Sequence, residues 1–564
     1  MNQTKKLLKK MTAGIAASAL ILSGSSTVFA AGSYQETEKG ALDKLVSGVE
    51  AYLDTYAEEL DKAKAGSKAT LTLTAEDAGK SLLGMASGMD FSWLNTVSMD
   101  MDVTIKDSVE AMAVDFLVND SALCTMNVMV DMAGLAEYIQ IPELSQSWMS
   151  MPLMVTATDA SGAEISDEAM QQYFQVMSEI MDLVPDSETV GTLLDRYGNL
   201  IIDNLAEGSS MEEAVSVEGI SEDCTVYEGY LTEENLGTIA EAVLTAAKDD
   251  QELKSLFDSW TEAGAISGDI YNQMQAGIDS LLADLSEDSE ASDDAILTSK
   301  VWTNADGKIV GRELAVTDGT DNIPVFTWKN PSQDGNSALL IEISSGTESL
   351  TLTGSGQTAE GLLSGSYLAA YNGVEVADFE VENLETSPEK TGYYNGTITV
   401  SFPNNGTEEE PNPLSGFGAV INMISDAEAE TSQIDLSVTS SGAPLATLSM
   451  TSGYGEGAET TDPSSLGETL SMDSEEDMMA YLQGMDWTTL LDNARAAGIP
   501  EELVTQIDAA LQAAVSGSTE EAADSAAVTE EPDAEDSADS TAETTDGADA
   551  GASAPADGTS DAAA

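Results

Sequence analysis

Hydrophobic positions recur first at the spacing of a helix and then at the spacing of a strand. Helical spacing joins Leu42, Leu45, Val46, Val49, Tyr52, Leu53, Tyr56 and Leu60, which predicts an amphipathic helix. Alternation with polar residues then joins Met99, Met101, Val103 and Ile105, and next Met112, Val114, Phe116 and Val118. Similar short runs lie at 71–73, 124–132 and 138–141. This part of the chain therefore predicts an antiparallel meander with one apolar face.

The helical period returns in the next hundred residues. It covers 166–181, 190–201 and 236–244, with further helical runs to about residue 285, and a strand around 224–230 interrupts it. Residues 31–285 are thus predicted to hold a helix, a β-meander and a helical segment. Residues 286–294 are rich in Ser, Asp and Glu and predict an acidic linker.

Residues 295–455 consist of short apolar or Thr-rich runs separated by turn signals. The dipeptides that favour tight hairpins are Asp306-Gly307, Asp318-Gly319, Asp334-Gly335, Asn372-Gly373 and Asn395-Gly396. We predict a large antiparallel sheet here, strongly twisted or curled on itself.

The chain closes with helices and an acidic tail. Residues 470–515 show capping and stop signals, with Ser474 as a helix cap and Gly498 before Pro500 as a break. Residues 516–564 hold little besides small and acidic residues and predict a disordered tail. The fold class expected is α+β, with large curved antiparallel sheets packed on amphipathic helices.

The first thirty residues match a secretory signal. Basic residues at 5, 6, 9 and 10 precede a mostly apolar stretch, and Val28-Phe29-Ala30 offers a small-residue cleavage pattern. Cleavage near Ala30 would yield a secreted protein, extracellular or loosely associated with the cell surface. No transmembrane segment is expected in the mature chain.

Charge and histidine content exclude several classes of function. The chain has 101 acidic residues, 20 basic residues and no histidine. Four of the basic residues lie in residues 1–30, so the remainder has 16 against 101 and a formal charge of −85. Nucleic acid is therefore not expected as a partner, whereas a diffuse layer of divalent cations is. Without histidine, no catalytic residue, cofactor or metal site is predicted.

The two cysteines leave two interpretations open. An exported chain oxidises suitably placed thiols, and a bridge between Cys124 and Cys224 would close a loop of about a hundred residues. Alternatively both are buried thiols, because Cys124 alternates in phase with Met126 and Val128 on the apolar face.

Methionine is frequent, with 24 residues in the chain and a cluster between Met85 and Met154. Ordinary core packing explains this cluster, and so does an adaptable apolar pocket for a lipid-like ligand. The candidate pocket residues are Met99, Met101, Met112, Met126 and Val128.

The segment Trp302 to Glu313, W-T-N-A-D-G-K-I-V-G-R-E, partly matches an EF-hand calcium loop. Trp302 stands where the first carboxylate ligand belongs, and the flanks alternate like strands. A hairpin with an Asp-Gly turn explains the match, so no metal site is predicted.

Several segments together resemble a known family. They are A-E-Y-I-Q-I-P-E-L at 136–144, L-L-D-R-Y-G-N at 193–199, C-T-V-Y-E at 224–228 and the 302–313 segment. The pattern, over residues 40 to about 510, resembles exported proteins and lipoproteins of Gram-positive bacteria with no assigned activity, similar in architecture to the lipoprotein-carrier, LolA-like fold. The resemblance implies a curved antiparallel sheet embracing helices, whose apolar concave face holds acyl chains in the carriers. This chain lacks the lipobox cysteine of the anchored members.

The function expected is therefore non-enzymatic binding of a hydrophobic or lipid-like ligand. The first alternative is a cell-surface interaction module with an unidentified partner and no small-molecule ligand. The second is a hydrolase that uses paired carboxylates. An aromatic content of 5% argues against a sugar-stacking cleft in such an enzyme.

Overall fold

The computed structural model describes residues 32–106, 108–153, 185–286, 292, 294–317, 321–388, 392–404 and 412–526, without the side chains of 286 and 514–526. The chain divides into two compact units, Met1–Ala510 and Leu511–Ala564. The predicted signal segment at 1–30, the helix at 166–181 and the end of the tail beyond 526 lie outside the described residues.

The helices follow the predicted amphipathic segments. They are α1 (Tyr34–Ala65), α2 (Asp77–Ser87), α3 (Ser187–Asp203), α4 (Glu233–Asp249), α5 (Gln251–Glu262), α6 (Ile270–Ser286), α7 (Glu475–Gly484), α8 (Thr488–Ala496) and α9 (Glu501–Ala526). Ser474 accepts a hydrogen bond from the Asp477 backbone N–H, which confirms it as a cap. Sequence periodicity missed α2. No helix in the described residues is long and apolar enough to cross a membrane.

The strands that begin before residue 300 include the predicted meander and the predicted strand around 224–230, together with strands at 148–152, 206–207 and 211–217 that the sequence analysis did not predict. They are β1 (Ser67–Ala75), β2 (Thr96–Lys106), β3 (Val109–Val118), β4 (Ser121–Asp131), β5 (Ala136–Gln140), β6 (Trp148–Pro152), β7 (Ala206–Glu207), β8 (Met211–Val217), β9 (Ile220–Thr232) and β10 (Ala295–Asn304).

The second β region confirms the predicted series of hairpins. Besides β10, its strands are β11 (Ile309–Thr317), β12 (Asn322–Lys329), β13 (Ser332–Gln333), β14 (Asn336–Ser345), β15 (Glu348–Ala359), β16 (Leu362–Tyr371), β17 (Val374–Glu385), β18 (Gly396–Ser401), β19 (Phe417–Asp426), β20 (Thr431–Ser440) and β21 (Ala443–Tyr454). A short strand, β22 (Thr469–Ser471), follows at the start of the segment predicted to be helical. At the Asn372-Gly373 turn both residues have positive φ, 51° and 75°, as a primed hairpin turn requires.

Two sequence expectations need correction. Gly396 begins β18 instead of closing a hairpin, because Asn395 uses its side chain to bind Glu385 and the Ser425 backbone N–H. Helix α9 continues to Ala526, so the boundary of the predicted disordered tail at 516 is too early. Alanine and glutamate there are strong helix formers, which explains the extension. The Asp318-Gly319 turn lies outside the described residues.

The strands described form one sheet, almost entirely antiparallel. Neighbour pairing runs β8-β9-β10-β11-β12-β14-β15-β16-β17-β18-β19-β20-β21-β1-β2-β3-β4-β5-β6-β22, and β22 pairs with β6 in parallel. Strand β1 lies between β21 and β2, so the two β regions join through long-range pairing.

The main core lies at one end of this sheet. It gathers apolar side chains from α1, α3, α4 and β9 to β11, among them Tyr34, Ile201, Leu236 and Val301. A smaller cluster of Leu491, Ala494 and Val504 packs with Leu123 at the other end. Between the two ends, strands β18 to β21 and β1 contribute few buried side chains.

Candidate functional site

Cross-strand pairing places all five candidate pocket residues from the sequence analysis on one face of the sheet. These residues are Met99, Met101, Met112, Met126 and Val128. Met101 and Met126 both lie opposite Val114, and Met112 lies opposite Val128. Directly opposed residues share a face, as do residues two apart on one strand. The predicted apolar face of the meander is thus confirmed, and all five candidates belong to it.

The same face stays apolar across the strands of the second β region. Two neighbouring rows of opposed side chains make up what we call the apolar strip. The first row is Ile398, Ile421, Leu436, Leu448, Leu73, Val97 and Val118. The second row is Met423, Ile434, Met450, Leu71, Met99, Phe116 and Cys124.

The opposite face of β1 to β4 carries polar pairs beside buried Ala111 and Met129. Thr70 lies opposite Asp100, and Asp115 lies opposite Thr125. The Thr70 hydroxyl donates to Asp100 at 2.8 Å, and the Thr125 hydroxyl donates to Asp115 at 2.5 Å. The two faces of β1 to β4 therefore differ at these positions, with polar pairs on one side and apolar pairs on the other.

Exposure separates the sequence candidates from other residues of the strip. The four candidate methionines are half-buried and Val128 is buried. Leu73 and Met450 are 46% and 47% exposed, and Leu448 and Val97 are nearly as accessible. The sequence analysis did not include these four positions among the candidate pocket residues, because it selected mainly methionines. The alternation of Leu with Thr in β1 is the sequence pattern that could have identified Leu73 as part of the strip.

Helix α2 adds more exposed apolar side chains beside the strip. The Glu76 backbone N–H at its start donates to the Leu445 carbonyl of β21 at 3.1 Å. Four large apolar residues in and after α2 remain accessible, and these are Leu82, Leu83, Met85 and Met89. The end of strands β1 and β21 therefore carries apolar surface that the described residues leave uncovered.

The apolar strip lies on the sheet face that carries Arg312. Opposed pairs and two-residue steps along one strand connect Arg312, Trp328, Ile341, Leu352, Ala369, Ala377, Val381 and Ile398. Arg312 binds Glu38 of α1 through two hydrogen bonds, Nη1 to Oε1 at 2.6 Å and Nη2 to Oε2 at 3.2 Å. Helix α1 thus meets the sheet on the same face as the strip, which we call the Arg312 face.

A cavity of about 940 Å³ opens on the Arg312 face near β14 to β18. Its floor is apolar and includes Leu339, Leu352, Leu363, Tyr367, Phe379 and Val381. Its rim is polar and includes Asn330, Ser332, Gln333, Asp334, Thr386 and Ser387. Lys308 and Ile398 also line it. Sequence reasoning did not identify this site, because its residues come together only through strand pairing.

Cys124 and Cys224 are both free thiols, so the bridge considered from the sequence is absent from this structure. Cys124 on β4 lies opposite Phe116, whereas Cys224 on β9 lies opposite Glu213 and Asn304. Their strands are not neighbours in the sheet. Burial, with a contribution from Glu222, raises the pKa of Cys224 to about 11, and burial, with Glu143 and Asp115, raises the pKa of Cys124. Neither thiol is activated as a nucleophile.

The segment 302–313 is a hairpin, as predicted. Strands β10 and β11 pair on either side of the Asp306-Gly307 turn, and Gly307 has a φ of 74°. The Asn304 side-chain oxygen accepts from the backbone N–H groups of Asp306 and Lys308, so it stabilises the turn. Within the residues that the structure describes, no group of three or more His, Cys, Asp and Glu is placed to hold a metal ion.

Comparison with known proteins gives no family assignment. No family model matches the chain, and neither a curated protein nor a solved structure is similar to it.

Proposed function

We propose that this protein binds a hydrophobic or lipid-like ligand on the apolar strip. The observation that carries the proposal is the exposure of large aliphatic side chains on adjacent strands, among them Leu73, Leu448 and Met450. Contiguous apolar surface of this kind marks binding sites on folded proteins. Export to the cell exterior, which the first thirty residues indicate, belongs to the same proposal.

The shape of the strip favours a long chain over a compact ligand. Its first row crosses seven strands, and six strand spacings of about 4.8 Å make it roughly 29 Å long. The strip contains no basic side chain that would pair with an anionic headgroup. The chain as a whole has a formal charge of −81, which disfavours acidic lipids further. A neutral acyl or isoprenoid chain fits both properties.

Curvature of the sheet toward the Arg312 face would shelter such a chain. Lys308 precedes β11 and Ile398 lies on β18, six strand spacings away, or roughly 29 Å in a flat sheet. Both nevertheless line one cavity of about 940 Å³. This juxtaposition supports the curved, carrier-like sheet that the sequence resemblance implies.

The test is native mass spectrometry and solvent extraction of the chain that begins at residue 31, followed by titration with an uncharged fluorescent monoacylglycerol. Leu73→Asn with Leu448→Asn should weaken probe binding about tenfold or more, because it places amides in the middle of the strip. Thr72→Asn with Thr451→Asn is the matched control, since these residues lie on the polar face of the same two strands.

A folded wild-type chain that carries no extractable lipid and does not bind the probe would refute the proposal and favour the interaction module. Equal losses in both double variants would also contradict it. Met101→Asp with Met112→Asp separately tests the region chosen from the sequence. Unchanged ligand content in that folded variant would exclude β2 and β3 from the site.

A further inference from the structure

The cavity near β14 to β18 contains two aromatic side chains from neighbouring strands, to which the hydrophobic-ligand proposal assigns no role. Tyr367 of β16 lies opposite Gly354 of β15 on one side and Phe379 of β17 on the other. A Cβ atom on Gly354 would lie 2.6 Å from Cδ1 of Tyr367, and one on Gly356 would lie 3.0 Å from its hydroxyl oxygen. The Tyr367 ring therefore extends across the backbone of β15, where only glycine leaves room for it.

This packing fixes the orientation of the Tyr367 ring. One side of the ring rests on the two glycines, and the ring also lines the cavity. Phe379, on the strand at the other side of β16, also lines the cavity. Sequence composition shows few aromatic residues, and strand pairing brings two of them together here.

The rim of the cavity carries side chains that both donate and accept hydrogen bonds. The side-chain amides of Asn330 and Gln333 and the hydroxyl of Ser387 line the cavity and make no hydrogen bond with other residues that the structure describes. Asn336 is already engaged, since its side-chain amide donates to the Gln333 backbone carbonyl at 3.4 Å. One lysine and one aspartate, Lys308 and Asp334, balance the charge of the lining.

We propose that this cavity is a binding site for a neutral oligosaccharide. A sugar ring has an apolar C–H face that packs on an aromatic ring, and hydroxyl groups that pair with amides and hydroxyls. The apolar floor and the neutral polar rim match these two surfaces, whereas an acyl chain would leave the rim amides unpaired. Ile398 belongs both to the apolar strip and to the cavity lining, whereas the other lining residues lie outside the strip, and the sugar proposal does not depend on the ligand of the strip.

The experiment is isothermal titration of the purified chain with neutral trisaccharides, namely maltotriose, cellotriose, xylotriose, mannotriose and tri-N-acetylchitotriose. Wild type should bind at least one of them saturably. Tyr367→Ala should weaken that binding about tenfold or more, whereas Tyr367→Phe should keep it within about threefold, because the ring is retained.

Tyr371→Ala is the matched control. Tyr371 lies on the same strand and the same face but outside the cavity, and it is 45% exposed. It should bind the sugar as wild type does. Gln333→Ala with Ser387→Ala tests the rim without touching the floor, which covers the case in which Tyr367→Ala fails to fold. We expect this rim variant to bind several-fold more weakly.

Absence of binding by folded wild type to every trisaccharide would overturn the proposal. Equal losses in Tyr371→Ala and Tyr367→Ala would also overturn it, as would an unchanged affinity in the rim variant. The monoacylglycerol titration tests binding to the apolar strip separately from sugar binding. If the monoacylglycerol does not bind, the sugar proposal still stands. If no trisaccharide binds, the proposal for the apolar strip still stands.

Discussion

Arg312 of β11 and Glu38 of α1 form an ion pair that is closed off from solvent, with exposed fractions of 2% and 1%. The two hydrogen bonds between guanidinium and carboxylate join residues 274 positions apart in the chain. Beside this pair, Tyr34 is also buried, and burial together with the Glu38 charge raises the pKa of its hydroxyl. The ion pair fixes the start of α1 against the Arg312 face.

Glu38→Gln should lower the free energy of unfolding by about 3–5 kcal/mol, because it leaves a buried guanidinium without its counter-charge. Urea denaturation measures this loss. Glu38→Leu with Arg312→Met should cost less than either single substitution, since no charge remains buried. Asp279→Asn is the control: the exposed Lys248–Asp279 pair should contribute less than about 1 kcal/mol. A small effect of Glu38→Gln would show that water reaches the pair.

Gly229→Ala should destabilise the fold, whereas Gly237→Ala should stabilise it. A Cβ atom on Gly229 would lie 2.3 Å from Cε1 of Tyr34, whose ring is held in the main core. Relief of that overlap would cost about 1–3 kcal/mol. Gly237 lies inside α4, and apart from the adjoining residues and backbone of the helix itself no atom lies within 4 Å of the position that an added Cβ would take, so alanine should gain about 1 kcal/mol. The melting temperature of each variant, monitored by circular dichroism, distinguishes the two substitutions. Equal shifts of melting temperature in the two variants would contradict the prediction.

Asp250 should make the fold sensitive to acid. Burial of its carboxylate raises the pKa, but hydrogen bonds from Arg196, the Leu253 backbone N–H and Tyr197 outweigh burial and lower the pKa to about 2. The stabilisation is present above the ordinary value near 3.8 and is lost as the pH falls through about 2. It amounts to about 2 kcal/mol, at 1.36 kcal/mol per pKa unit.

Urea titrations of wild type at pH 6, 4 and 3 should show the first part of this loss, which is complete only below about pH 2. Asp250→Asn should be less stable at pH 6 and should lose less on acidification. The difference between the two proteins isolates Asp250 from the many other carboxylates. Parallel pH profiles would rule out this role for Asp250.

Both thiols should be found free without any reductant. In the unfolded chain, iodoacetamide should label two cysteines, and prior reduction should not change the mass gained. In the folded chain, half-buried Cys124 should react before buried Cys224, and both slowly at pH 7 because burial keeps them protonated. Mass spectrometry of the alkylated protein measures this. No labelling before reduction would demonstrate a disulfide.

Much of the fold is readable from local sequence, for a physical reason. Alternation along β2 and β3 follows from the two-residue period of a strand, and Asn372-Gly373 follows from the positive φ that a tight hairpin requires. Where an Asn has another hydrogen-bonding option, as Asn395 does with Glu385, the same dipeptide does not make the turn. Local signals are dependable only where no tertiary partner competes with them.

The sequence by itself determined most of the strands and helices, the apolar face of the meander strands, and that no histidine takes part in any chemistry. Only the tertiary structure decided that β1 pairs with β21, that Glu38 meets Arg312, and that Tyr367 rests on Gly354. The physical reason is the distance along the chain over which each kind of interaction acts. Periodicity and turn preference act over a few residues, whereas these contacts depend on the register of strands that lie far apart in the chain.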